Sequence, residues 1–104
     1  MSKRSKGKFY ELQAKKLLLS EGFLVDVKNY SPYASQDFFR LFDILAVGPD
    51  TKLIQVKTNA SDFYKARKDI KNWITINKIK NLSCEVWLRE PRKDWRREII
   101  ECHT

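Results

Sequence analysis

The stretch that decides the fold is Phe42–Asn59, FDILAVGPDTKLIQVKTN. It predicts two short strands and the tight turn between them. Residues 41–47 are apolar apart from Asp43, and Gly48-Pro49-Asp50 is turn punctuation. Residues 53–58 predict a second strand, which carries Gln55 and Lys57. Side chains alternate across a strand, so Gln55 and Lys57 share one face while Ile54 and Val56 share the other. Folded as a hairpin, the segment brings Asp43 beside Gln55 and Lys57. An anionic oxygen, an amide oxygen and an ammonium then meet at one spot. Polar groups inside apolar strands are costly unless they find partners. On the hairpin alone the trio is either structural or chemical. The structural form is a buried Asp–Lys ion pair, or a Lys57 whose ammonium reaches the surface along its own stem. The chemical form is a divalent-metal site with a lysine beside it, the equipment for cutting a phosphodiester.

Upstream, residues 8–20 predict a helix. Tyr10, Ala14, Leu17 and Leu18 recur at helical spacing, Leu12 and Leu19 widen the stripe, and Gly22 supplies the stop. Glu11 shares a face with Ala14 and Leu18, so it points inward or along a cleft; a first-turn acid favoured by the helix dipole is the ordinary alternative. The basic segment before it, residues 2–8, suits phosphates or a solvated terminus equally. Residues 23–28, FLVDVK, alternate and predict a strand. Residues 29–39 predict a loop that is long for so short a chain, and such loops are often functional.

Downstream, Ser61 is the expected N-cap of a helix from about residue 62 to residue 73 or a little beyond, with Asp62 in its first turn. Phe63, Ala66, Ile70, Trp73 and Ile74 form its apolar stripe, and Lys65, Arg67, Lys68 and Lys71 lie largely off it. Two more strands are expected over residues 84–89 and 95–102. No repeat or linker interrupts the chain, so residues 1–104 are read as one domain.

A net charge of +8 on 104 residues points to a polyanionic partner. No apolar run approaches the roughly 20 residues of a membrane span, and no apolar segment of signal-peptide length follows the basic start. Cys84, Cys102 and His103 lack zinc-site spacing, and ordinary intracellular thiols in a cytoplasmic protein are expected.

With these residues in place, the chain resembles the PD-(D/E)XK nuclease superfamily. Over residues 6–74 it is most similar to archaeal-type Holliday junction resolvases. The resemblance is carried by Lys6-Gly7, Glu11, Gly22-Phe23-Leu24-Val25, a loop with Ser31 and Ser35, Asp43, and Gln55-Val56-Lys57. It implies an α/β restriction-endonuclease-like core, a central mixed β-sheet flanked by helices in the order α-β-β-β-α-β-β. It also implies a Mg²⁺- or Mn²⁺-dependent endonuclease acting on branched DNA. Asp43, Gln55 with the carbonyl after it, and Glu11 would hold the metal, and Lys57 would position or activate the attacking water. Lys8, Arg40, Lys65, Arg67, Lys68 and Lys71 would follow the DNA backbone. Tyr30, Tyr33, Phe38 and Phe39 either stack on an unpaired base or anchor the loop to the core.

Two residues depart from the pattern. Phe42 stands where the superfamily has proline, and Gln55 stands where it usually has an acid. Glutamine here also occurs in Mrr-like enzymes, so an Mrr-like or general repair nuclease is the alternative within the class. Outside it stand a catalytically decayed nucleic-acid-binding module and a basic RNA-associated protein. A resolvase needs two sites related by a two-fold axis. A homodimer is therefore expected, with Trp73, Trp87, Trp95, Ile99 and Ile100 as apolar residues beyond the evident needs of one small core.

Overall fold

The structure is a computed structural model that describes residues 3–30 and 35–101; for residues 3–5, 29–30 and 35–36 only the backbone is described. Helix α1 (Lys3–Ser20) leads into β1 (Leu24–Val27), and two very short strands follow, β2 (Asn29–Tyr30) and β3 (Ser35–Gln36). Then come β4 (Ile44–Val47), β5 (Thr51–Lys57), α2 (Ala60–Asn77), β6 (Ser83–Leu88) and β7 (Arg96–Ile99).

The hairpin expected over residues 42–59 is the centre of the sheet. Ile44 pairs with Ile54, Leu45 with Leu53, Ala46 with Lys52 and Val47 with Thr51. A side chain at Gly48 would put its Cβ 3.0 Å from the Phe23 ring and 3.1 Å from the Gly22 carbonyl, so the two turns pass closely and a larger residue there would have to push its neighbours back. The sheet order is β1-β4-β5-β6-β7. All neighbours are antiparallel except β5 and β6, which run parallel because α2 carries the chain back across the sheet. The result is the mixed sheet with flanking helices that the resemblance implied.

Strand alternation gives the sheet two apolar faces, and each helix covers one. Ala14 and Leu18 of α1 pack with Phe23, Ile44, Ala46, Ile54, Val56 and Trp87. Phe63, Ala66, Ile70 and Ile74 of α2 pack with Phe42, Leu53, Cys84, Val86 and Leu88. Each large aliphatic or aromatic side chain so buried contributes about 1.5–3 kcal/mol.

Several boundaries differ from expectation. Helix α1 begins at Lys3 rather than near residue 8, because a polar helical turn carries no apolar period to read. The N-cap of α2 is Asn59, not Ser61: its Oδ1 accepts the Asp62 N–H at 2.9 Å, and its Nδ2 donates to Asp62 Oδ2 at 2.9 Å. Helix α2 also runs on to Asn77, keeping Ile74 buried, and closes on Lys78 in the left-handed conformation. The expected loop over residues 29–39 contains the β2–β3 ladder, which is too short to show alternation. The tryptophans pack within the chain: Trp87 is fully buried, Trp95 meets it edge-on at 5.5 Å, and Trp73 meets Phe42 at 5.2 Å. Ile99 remains exposed.

Candidate functional site

Asp43 stands just before β4, where the chain bends into the sheet. Its backbone is tied on both sides: its N–H donates to the Ile54 carbonyl at 2.9 Å, and its carbonyl accepts the Lys28 N–H at 2.8 Å. The carboxylate turns onto β5, where Oδ2 accepts the Val56 N–H at 2.8 Å. One bond therefore places a buried acid beside Gln55 and Lys57, and burial keeps water from competing for it.

Lys28, one residue beyond β1, reaches the same place. Its Nζ lies 2.7 Å from Asp43 Oδ1, 3.1 Å from Asp37 Oδ1 and 3.9 Å from Glu11 Oε2. Glu11 arrives from α1 and is buried. Burial pulls the Lys28 pKa down, but the Asp43 charge and hydrogen bond, with Glu11 and Asp37, overcome it and raise the pKa above the ordinary lysine value. Lys28 is thus a cation throughout the neutral range, among three carboxylates.

The buried Asp–Lys pair allowed by the hairpin is present, but its lysine is Lys28, not Lys57. Lys57 is half-buried at the end of β5 and forms no ion pair among the described residues. Gln55 shares its strand face, and its Oε1 is buried without a hydrogen-bond partner among the described residues. Such an atom ordinarily costs about 1–3 kcal/mol. Lys28 and Asp37 were not anticipated. Lys28 closes an alternating strand and reads as its polar end, and Asp37 lies in a loop without periodicity.

No group of three or more His, Cys, Asp or Glu among the described residues is arranged to hold a metal ion. Asp43 and Glu11 carry carboxylate oxygens, a donor type that suits a hard cation such as Mg²⁺ or Mn²⁺, and the Gln55 side-chain oxygen is buried without a hydrogen-bond partner among the described residues. Cys84 is no ligand: burial, with the charge of Glu85, pushes its thiol up to about 11.

The basic residues divide. Lys8, Arg40, Lys65, Lys68 and Lys71 are exposed. Arg67 is half-buried, 3.4 Å from Glu98 and over the rings of Phe63 and Tyr64. A groove of about 430 Å³ between α2 and β7 is lined by Tyr64, Arg67, Lys68, Lys71 and Glu98 and by none of the acids around Lys28. Between Asp37 and Asp43 the chain makes a turn in which Phe39 and Arg40 both have positive φ, 54° and 60°. Non-glycine residues there cost on the order of 1–3 kcal/mol each. The turn presents an exposed Phe39 backed by Trp73 at 5.5 Å. Ser31 and Tyr33 lie outside the described residues, and of Tyr30 and Ser35 only the backbone is described.

No protein-family model and no curated protein sequence matches the chain. Among solved structures it is similar to Hjc, a Holliday junction resolvase from the archaeal hyperthermophile Archaeoglobus fulgidus. The TM-score is 0.58 at 20% identity, covering 91% of this chain and 73% of that one. No helix among the described residues is long and apolar enough to cross a membrane. The likeness is one of fold: a restriction-endonuclease-like mixed sheet between helices, with Asp43 and Gln55-Val56-Lys57 on its central hairpin.

Proposed function

We propose that this protein is a metal-dependent endonuclease that hydrolyses phosphodiester bonds in DNA, selective for branched structures and acting as a homodimer. One observation carries the reading. The Asp43 carboxylate is clamped by the Val56 N–H, and the residue before Val56, Gln55, has a buried side-chain oxygen with no hydrogen-bond partner among the described residues. Buried polar atoms without partners are rare and call for an explanation such as a bound ion. The resolvase fold of the similar structure supports the same reading.

Asp43, Gln55 and Glu11 would hold Mg²⁺ or Mn²⁺. When bound, the cation supplies charge neutralisation at the scissile phosphate and a water acidic enough to be deprotonated near neutral pH. The remaining work belongs to the chain. Val56 N–H orients the Asp43 carboxylate, and the buried setting keeps the charges of the site unscreened. Lys57 positions the attacking water and offsets the charge that builds on the phosphate oxygens. Lys65, Lys68 and Lys71 hold the DNA backbone without reading sequence. The second reading, a binding module without catalysis, is favoured by the missing charge at position 55.

The test is a substrate panel of four-way junction, flap, duplex and single strand, each with Mn²⁺ or Mg²⁺, using the wild type and Asp43→Asn. Cleavage of junctions by the wild type, lost in Asp43→Asn, is the expected result. Binding without cleavage would establish the module instead.

A further inference from the structure

Lys28 is the cation at this site that the nuclease chemistry leaves without a role. Asp43 Oδ2 accepts the Val56 N–H, and Oδ1 is the oxygen that meets a cation in this structure. Lys28 Nζ already holds that atom at 2.7 Å, and it also faces Glu11 and Asp37. A divalent ion and an ammonium repel when they share carboxylate oxygens. Without any cation, Glu11 and Asp43 would be like charges buried together, which is strongly unfavourable. The three acids are not equally deep. The Asp37 side chain is 28% exposed, against 7% for Asp43 and 4% for Glu11. Asp37 is therefore the shallowest of the three, although its Oδ1, the oxygen that faces Lys28, is itself buried.

We propose that Lys28 is the resident counter-cation of this site, displaced when a divalent ion binds and then held by Asp37. The inference rests on the reading of Asp43, Glu11 and Gln55 as metal ligands. It gives the long stem of Lys28 a purpose: the ammonium leaves the deep carboxylates without leaving the site. In that outer position it faces the side from which a phosphate enters. Metal and DNA then bind cooperatively. The metal frees an ammonium for the phosphate, the phosphate stabilises the displaced ammonium, and the coupling is the same in either direction. Metal affinity without DNA is low by design, because the ion must first displace a bound charge.

Isothermal titration of the DNA-free chain with Mn²⁺ tests the exchange. Lys28→Met keeps most of the stem and removes the charge. It is expected to bind Mn²⁺ at least about tenfold tighter than the wild type, the scale on which one neighbouring charge moves a carboxylate's affinity for a proton. Asp43→Asn is expected to lose binding. The wild type gives a second measurement that does not depend on the variant folding. Acetylation of Lys28 by acetic anhydride, read by mass spectrometry, is expected to rise several-fold when Mn²⁺ is added. Lys28→Met binding no tighter than the wild type, with Asp43→Asn still abolishing the heat, overturns the exchange and leaves the metal site standing. Lys28 acetylation unchanged by saturating Mn²⁺ does the same. Mn²⁺ binding that is absent throughout, or indifferent to Asp43→Asn, overturns both the exchange and the nuclease reading beneath it.

Discussion

Two buried acids of this sheet are each held by a lysine at 2.7 Å, and their surroundings differ. Glu85 on β6 is closed. Its Oε2 accepts Lys52 Nζ at 2.7 Å and Ser83 Oγ at 3.1 Å, and its Oε1 accepts Trp87 Nε1 at 3.0 Å. One acid meets one ammonium, both carboxylate oxygens have donors, and the Lys52 ammonium also sits over the Phe23 ring at 5.5 Å. Asp43 is open. Its ammonium is shared with Glu11 and Asp37, and the side-chain oxygen of Gln55 on the neighbouring strand lacks a donor among the described residues. A closed centre specifies the fold, because nothing can be added to it without breaking a bond. In the proposed reading, an open centre is one that can take a cation or a substrate. Burial alone does not separate the two; the match between charges and partners does.

Exchanging single charges at the two centres should separate activity from stability. Asp43→Asn is expected to cut cleavage by at least about a hundredfold, beyond what losing a group that merely orients a metal ligand costs. Its stability should fall by only about 1–2 kcal/mol, since Asn still accepts the Val56 N–H and Lys28 keeps two acids. Glu85→Gln is expected to do the reverse. It strands a part-buried Lys52 and should lose about 3 kcal/mol in urea titration, with cleavage per folded molecule unchanged. If Asp43→Asn unfolds the chain while Glu85→Gln does not, Asp43 is the structural acid and the assignment is inverted.

A second exchange adds charge to the open centre. Gln55→Glu puts a further carboxylate beside Asp43. Without metal the variant should melt lower than the wild type. With Mn²⁺ it should regain more than the wild type gains, because a ligand that binds only the folded state stabilises it in proportion to its affinity. Binding about tenfold tighter is the expected scale for one added charge. A variant that melts low and gains nothing from Mn²⁺ would make Gln55 a packing amide.

The difference between the two centres also explains what could be read from the chain beforehand. The sheet was legible because alternation in Leu53–Lys57 and helical spacing in Phe63–Ile74 are one-dimensional signals. Asp43, Gln55 and Lys57 were legible because a polar residue breaks an apolar run. Lys28 and Asp37 break nothing: one ends a strand and is brought to Asp43 by the pairing of β1 with β4, and the other lies in a loop and is brought there by the turn that the Phe38–Phe42 bridge closes. Asn59 was missed as a cap because Ser61 is also a capping residue followed by an acid, and one residue type cannot exclude the other. Glu85 sat unremarked inside CEVWLR for a different reason. Its donors come from β5, from its own strand two residues either side, and from no motif.

The smallest effect is expected where the same charges meet without burial. Glu21, just after α1, and Arg97 of β7 form a two-pronged pair. Arg97 Nη1 donates to Oε1 at 3.1 Å and Nη2 to Oε2 at 2.9 Å. Both side chains are about one-third exposed, 34% for Arg97 and 36% for Glu21, so water and salt screen the attraction. The Arg97 hydrogen bonds hold the Glu21 carboxyl below its ordinary pKa, against a smaller opposing effect of burial. A lowered carboxyl pKa stabilises the fold above the unfolded value of about 4.3, and the contribution fades as pH falls through the folded value. Glu21→Gln should therefore cost no more than about 1 kcal/mol at pH 7 in urea titration. The cost should shrink in high salt and vanish in acid below the folded pKa, with cleavage unaffected at every pH where both proteins are folded. A loss at pH 7 as large as that of Glu85→Gln would mean that partner geometry, not burial, sets the worth of a charge in this protein. The contrast between closed and open centres would then rest on geometry alone.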